Sequence, residues 1–209
     1  MSIEKLTAHE VSFQYKDRKI LQNINLTITP GECVGLLGES GIGKTTLGRL
    51  LAGYESPASG EIRLNGQPLP KTGYSPVQLI AQHPQLMFDP RIQMGKALKE
   101  TGMNPAIHRR ILELVGIKPD WLYRYPIELS GGELQRFAIA RVLNARTRYI
   151  IADEISAMLD AITQVKLWTV LLQWIKENNI GLLAITHNKS LADKVCNRIV
   201  WMKDINGFR

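Results

Sequence analysis

Apolar and polar positions alternate cleanly at Ile24, Leu26 and Ile28, separated by Asn25, Thr27 and Thr29. That is the period of a strand buried on one face. Pro30-Gly31 predicts a turn. At residues 32–38, ECVGLLG, the alternation gives way to a short apolar run, which reads as a strand buried on both faces. A helix is expected over residues 43–52, and a strand running into an Asn65-Gly66 turn over residues 59–66. LIAQ, residues 79–82, reads as a further strand. From about residue 90 the spacing becomes helical and is broken by Gly102, Pro105, Gly116 and Pro119, which predicts an inserted helical segment.

Beyond it the pattern predicts a helix after Ser130, a strand at residues 149–152 and a long helix from about Ile162. On that helix Ile162, Val165, Trp168, Leu172 and Ile175 fall on one expected face. GLLAIT and RIVWM, residues 181–186 and 198–202, are the last expected strands. Strands alternating with helices imply a layered α/β fold. The predicted organisation is one domain, with a core at residues 1–89 and 144–209 and a helical subdomain at 90–143.

Composition narrows the class. The apolar runs are too short to cross a bilayer, and MSIEKLTAHEVSF lacks the basic start and apolar middle of a signal peptide. A soluble, cytosolic chain is therefore expected. Cys33 and Cys196 are too few for a disulfide framework, and both are expected to be buried and reduced. A net charge of +7 fits a basic surface, nucleic acid, a membrane surface or an anionic nucleotide, so charge alone does not choose.

Motifs do choose. GESGIGKT, starting at Gly38, matches G-x-x-x-x-G-K-[ST] between an apolar strand and a helix. Such a pattern should arise by chance in roughly one chain of this length per hundred, so its strand and helix context carries the argument. Backbone N–H groups of the loop and the helix N-terminus would wrap phosphates, with Lys44 on the β- and γ-phosphates and Thr45 on Mg²⁺. RYIIADE ends an apolar strand in two carboxylates. Asp153 suits a hydrated Mg²⁺, and Glu154 suits a base for the attacking water. In LSGGE, Ser130 and Glu133 form a capping box, yet Gly131 and Gly132 in the first turn cost up to about 1 kcal/mol each. A plain cap does not need them, whereas close approach of a phosphate to bare N–H groups does.

LSGGELQRFAIAR, lying between the phosphate loop and the acidic strand, resembles the signature sequence of ABC ATPases. The resemblance implies a P-loop fold with a mixed sheet core and an inserted helical subdomain, and binding of ATP with Mg²⁺. It assigns ATP contacts to Gly38, Glu39, Ser40, Gly41, Ile42, Gly43, Lys44, Thr45 and Thr46. Tyr15 resembles the residue that stacks on adenine. Gln82 resembles the glutamine linking ATP and its metal ion to a membrane partner. Glu154, His187 and Lys44 would be catalytic, Asp160 would communicate across a dimer, and Thr45, Gln82 and Asp153 would serve the metal. Ser130, Gly131, Gly132 and Glu133 would complete the ATP site of a partner subunit. Two departures stand out: Ile155 where the family usually has proline, and Ala157-Met158 where it has Ser-Ala.

FDPRIQMGKALKE, from Phe88, is similar to ATPases of peptide, nickel and metallophore importers. This implies a second ATPase subunit, two permease subunits and, indirectly, an extracellular solute-binding protein. It also implies a cytoplasmic place on the inner face of the membrane, with no nucleic acid. An exporter subunit is the alternative, and a DNA-associated ABC ATPase a further one. Residues 82–103 are the expected membrane-subunit dock, with Met87 and Phe88 as candidate anchors.

Overall fold

The computed structural model describes residues 4–102, 104–156 and 159–208. The chain opens with a hairpin of β1 (Leu6–Tyr15) and β2 (Arg18–Ile28). The expected alternation holds in β2, where Ile24, Leu26 and Ile28 are buried and Asn25 and Thr27 are exposed. β3 (Cys33–Leu37) is wholly buried and leads into α1 (Lys44–Leu51). β4 (Ser59–Leu64), β5 (Gln67–Pro68) and β6 (Val77–Ile80) follow. Between β6 and the next strand the regular elements are helical: a 3₁₀ turn at Pro84–Met87, α2 (Met94–Lys99), α3 (Pro105–Val115) and α4 (Gly131–Val142), with further 3₁₀ turns at Pro119–Tyr123 and Pro126–Glu128. β7 (Tyr149–Asp153), α5 (Ala161–Asn178), β8 (Gly181–Thr186), α6 (Lys189–Val195), β9 (Arg198–Trp201) and α7 (Met202–Ile205) complete the chain.

The mixed set of strands resolves into two sheets. One is antiparallel, in the order β2-β1-β4-β5, and the other is parallel, in the order β6-β7-β8-β3-β9. β3, β7 and β8 are buried at every residue, because both faces of the parallel sheet are covered. On one face the antiparallel sheet and α1 enclose Leu47, Leu50, Ile151 and Leu183. On the other, α5 and the helical segment enclose Phe137, Ile150, Leu171 and Leu182 in one continuous cluster.

Three expectations shift. α5 buries only part of the face read from its spacing: Trp168 and Ile175 are buried, whereas Ile162 and Val165 are 70% and 66% exposed. The helix rests on Leu167, Trp168, Leu171, Trp174 and Ile175. Apolar residues cover much of its circumference, so periodicity allowed two faces. From this buried face the Trp168 Nε1–H donates to Ser156 Oγ at 3.2 Å. The strand expected at 79–82 lies two residues earlier, at Val77–Ile80. Met202 leaves the last strand to start α7 and is fully buried.

β7 and β8 meet at a close approach, where Tyr149 pairs with Gly181. A Cβ on Gly181 would lie 2.5 Å from the buried Tyr149 ring and 2.9 Å from the Thr29 carbonyl. Gly181→Ala should therefore destabilise the fold by about 1–3 kcal/mol through overpacking, read as a lower urea midpoint at unchanged slope.

Candidate functional site

The parallel strands share one direction, so their C-terminal ends open on one edge, where ligands of open α/β sheets sit. Leu37 of β3 is level with Thr186 of β8, and Asp153 of β7 is level with Ile185. The loops that follow carry the phosphate loop, Glu154 and His187. They line a cleft of about 680 Å³, with Gln82 contributed from beyond β6.

The phosphate loop ends at Gly43, which precedes α1 at φ 104° with no side-chain cap on the helix. A Cβ there would meet Leu21 at 2.7 Å, so glycine is required both by the backbone and by the space. The uncapped first-turn N–H groups face the cleft through Lys44, Thr45 and Thr46. Ser40 and Gly41 also line it. Lys44 is buried, and its Nζ donates to the carbonyls of Gly38 and Glu39 at 2.8 Å each. Among the described residues it forms no ion pair, so its charge is available to an anion. Gly38, Glu39 and Ile42 frame the loop without lining the cleft.

Asp153 ends β7 at 2% exposure, and its Oδ1 has no hydrogen-bond partner. Burial raises its carboxyl pKa; the Thr45 hydroxyl lowers it, Glu154 raises it, and Lys44 and Arg49 lower it. An unpartnered buried carboxylate oxygen beside a hydroxyl and an open cleft fits a hydrated divalent cation. Among the described residues no cluster of three His, Cys, Asp or Glu side chains forms a metal cage.

Glu154 takes a left-handed backbone, φ 50°, uncommon for a non-glycine residue. Its N–H donates to Ile185 O at 3.0 Å, and its Oε1 lies 2.8 Å from His187 Nδ1. An ionised carboxylate can only accept, so Nδ1 carries the proton of that bond and Nε2 is left towards solvent. Ile155, the departure from proline, is buried in the helical-side core and anchors this turn. Ser156 Oγ accepts from Gln164 Nε2 at 2.8 Å and Trp168 Nε1 at 3.2 Å. Asp160 caps α5 by accepting from the N–H groups of Ile162 and Thr163. Ala157 and Met158 lie outside the described residues.

Other expected residues lie apart. Tyr15 is 43% exposed and packs edge-on against Phe13; it does not line the cleft. Its hairpin partner Arg18 and nearby Ile20 do. Sequence reasoning missed both, since only the β1–β2 register brings them there. Ser130 caps α4 by accepting from Glu133 N, and Glu133 reciprocates on Ser130 N. Neither they nor Gly132 line the cleft of Lys44. Gly131 borders a separate small crevice with Gln82 and Glu154. Met87 and Phe88 do not face outwards as docking anchors: Phe88 is buried, and Met87 packs on the same core. Arg141 donates to the Met87 carbonyl and stacks over the Phe88 ring, so this loop is fastened to α4. Leu86, 72% exposed, is the apolar residue this turn offers to solvent.

Ser156→Ala should remove two bonds and leave the buried Trp168 N–H unpaired. The expected loss is about 1–3 kcal/mol, read by urea denaturation, with a change in tryptophan emission that Ser156→Thr largely restores.

A family model described as ABC transporter matches residues 21–157. The "Nickel import system ATP-binding protein NikE" of Staphylococcus aureus (strain MSSA476) is 37% identical over 205 residues, covering 93% of this chain and 84% of that protein. The "Glutathione import ATP-binding protein GsiA" of Salmonella paratyphi A is 34% identical over 198 residues, covering 87% of this chain and 32% of that longer protein. Among solved structures, the dimeric structure of MJ0796, a bacterial ABC transporter cassette, superposes with a TM-score of 0.82 at 23% identity, covering 94% of this chain and 93% of the other. A dimeric post-hydrolysis state of the same cassette, bound to ADP and Pi, gives 0.79 at 23% identity, covering 98% and 97%. The chain belongs to the ABC transporter ATP-binding family and is an ATPase.

Proposed function

We propose that the chain powers solute import through separate membrane subunits, hydrolysing Mg²⁺-ATP at the edge of its parallel sheet. The observation that carries the hydrolytic site is the convergence of Lys44, the unpartnered Asp153 carboxylate and the Glu154–His187 pair in one cleft. The importer reading is supported by the relative named for nickel import, which aligns with 93% of this chain. Nickel, a peptide or a metal chelate is the proposed class of cargo.

Each side chain has a role its surroundings suit. Lys44 leaves its two loop carbonyls for the γ-phosphate, where charge grows as the bond breaks. Glu154 accepts the proton of the attacking water, and His187 holds that carboxylate in place. Thr45, Asp153 and Gln82 would hold Mg²⁺, which neutralises phosphate charge when bound. Tyr15 would stack on the base, with Arg18 and Ile20 beside it.

The remaining contacts come from a second ATPase subunit, identical or related. Gly131 supports this: a Cβ there meets nothing within 4 Å, so the bare backbone serves no packing need inside this chain. Ser130, Gly131, Gly132 and Glu133 would close over the partner's ATP, with Asp160 relaying between the halves. The helical segment 90–143 is proposed as a subdomain that moves with this closure. Gln82 couples it through the loop that Arg141 ties to α4. Two permeases would dock there, with a solute-binding protein acting from outside, and the chain would sit on the inner membrane face.

Lys44→Ala should lower hydrolysis by about 10²–10³-fold. Glu154→Gln should lower it by ~10²–10⁴-fold yet still bind ATP and accumulate a closed dimer, seen by size measurement with or without the partner ATPase. Parental turnover in both variants would sink the mechanism. Gly131→Ala separates a structural glycine from a functional one. Its urea midpoint should be unchanged or higher, since alanine favours a helix, while ATP-dependent dimerisation should fall at least tenfold. An unchanged dimer would argue against the shared site.

A further inference from the structure

Cys33 opens β3 and Cys196 closes α6, just before β9. They are 163 positions apart in sequence, yet their Sγ atoms lie 3.3 Å apart, with Cys33 donating its S–H to Cys196. The backbone holds the pair in this position. Cys33 N donates to Asn197 Oδ1 at 2.7 Å, Asn197 N donates to Cys33 O at 2.7 Å, and Cys196 N donates to Ala192 O at 2.9 Å. An S–S bond of about 2.05 Å requires the sulfurs to close by roughly a further 1.2 Å, a movement that χ1 rotation can supply.

We propose that Cys33 and Cys196 are a redox modification site, forming a reversible intrachain disulfide by exchange with a low-molecular-weight disulfide such as oxidised glutathione. The two thiols are unequal. Cys196 is half-buried, and the hydrogen bond it receives lowers its pKa. Cys33 is buried, and that same bond together with burial raises its pKa. Cys196 is thus the attacking thiolate and Cys33 the resolving thiol. The Cys196 sulfur attacks one sulfur of the small disulfide and expels one thiolate, leaving a mixed disulfide. Cys33 then gives up its proton, attacks the Cys196 sulfur and releases the second thiolate. In total two protein thiols are oxidised and one small disulfide is reduced to two thiols. The bond would tie β3, which runs into the phosphate loop at Gly38, to the start of β9. The two strands are already paired, and the link closes a long loop of chain across them.

The test is incubation of the folded chain with oxidised glutathione, followed by alkylation and intact-mass measurement. The parent should lose both alkylatable thiols and two hydrogens, with no glutathione retained. Its thermal midpoint should rise by about 5–15 °C, and dithiothreitol should reverse both changes. Cys33→Ser should stop at one glutathione on Cys196. Cys196→Ser should show neither a link nor a thermal shift, with Cys33 unmodified. Cys33→Ala serves if the serine variant is unstable. Stable glutathionylation of Cys196 in the parent, or two free thiols after prolonged incubation, would overturn the proposal.

Discussion

The double burial of the parallel sheet governs the rest of the structure. β3, β7 and β8 are covered on both faces, so a charged side chain within them would lie in an apolar interior. Polar chemistry is therefore displaced to the strand ends. Asp153 is the last residue of β7 and the only carboxylate in these three strands. Thr186 plays the corresponding part at the end of β8. The same constraint walls the cleft with the packed sheet on one side while leaving it open on the other. That combination strengthens an electrostatic contact without barring an anionic ligand.

Electrostatics in the cleft then follow from what lacks a partner. The buried Lys44 ammonium is satisfied by two carbonyls rather than by a carboxylate, and the buried Asp153 carboxylate keeps one oxygen free. Two buried opposite charges kept from neutralising each other each carry a desolvation cost.

The helical segment is not an independent globule. Phe137, Ile139 and Val142 of α4 share one core with Ile150 and Leu182 of the sheet and with Leu171 of α5. Arg141 binds the turn after Gln82 to α4, while Gly132 approaches Leu159 in the stretch after Glu154. The turn after Gln82 is thus fastened to the C-terminal end of α4, and the stretch after Glu154 lies against its N-terminal end.

The sequence by itself determined most of the strands, the glycine-rich loop pattern, the acidic strand end and the family, because each is written in short spacings whose physics is local. Alternation in β2, the uninterrupted apolar run of β3 and the glycines at Gly41 and Gly43 all report on backbone and burial within a few residues. Only the tertiary structure decided which face of α5 is buried, since an apolar helix offers more than one face and packing against the rest of the core selects among them. It also turned Met87 and Phe88 inwards, brought Arg18 and Ile20 to the cleft through a hairpin register, and set Cys33 against Cys196 across 163 positions. Those outcomes depend on partners remote in the chain, for which no local pattern carries information.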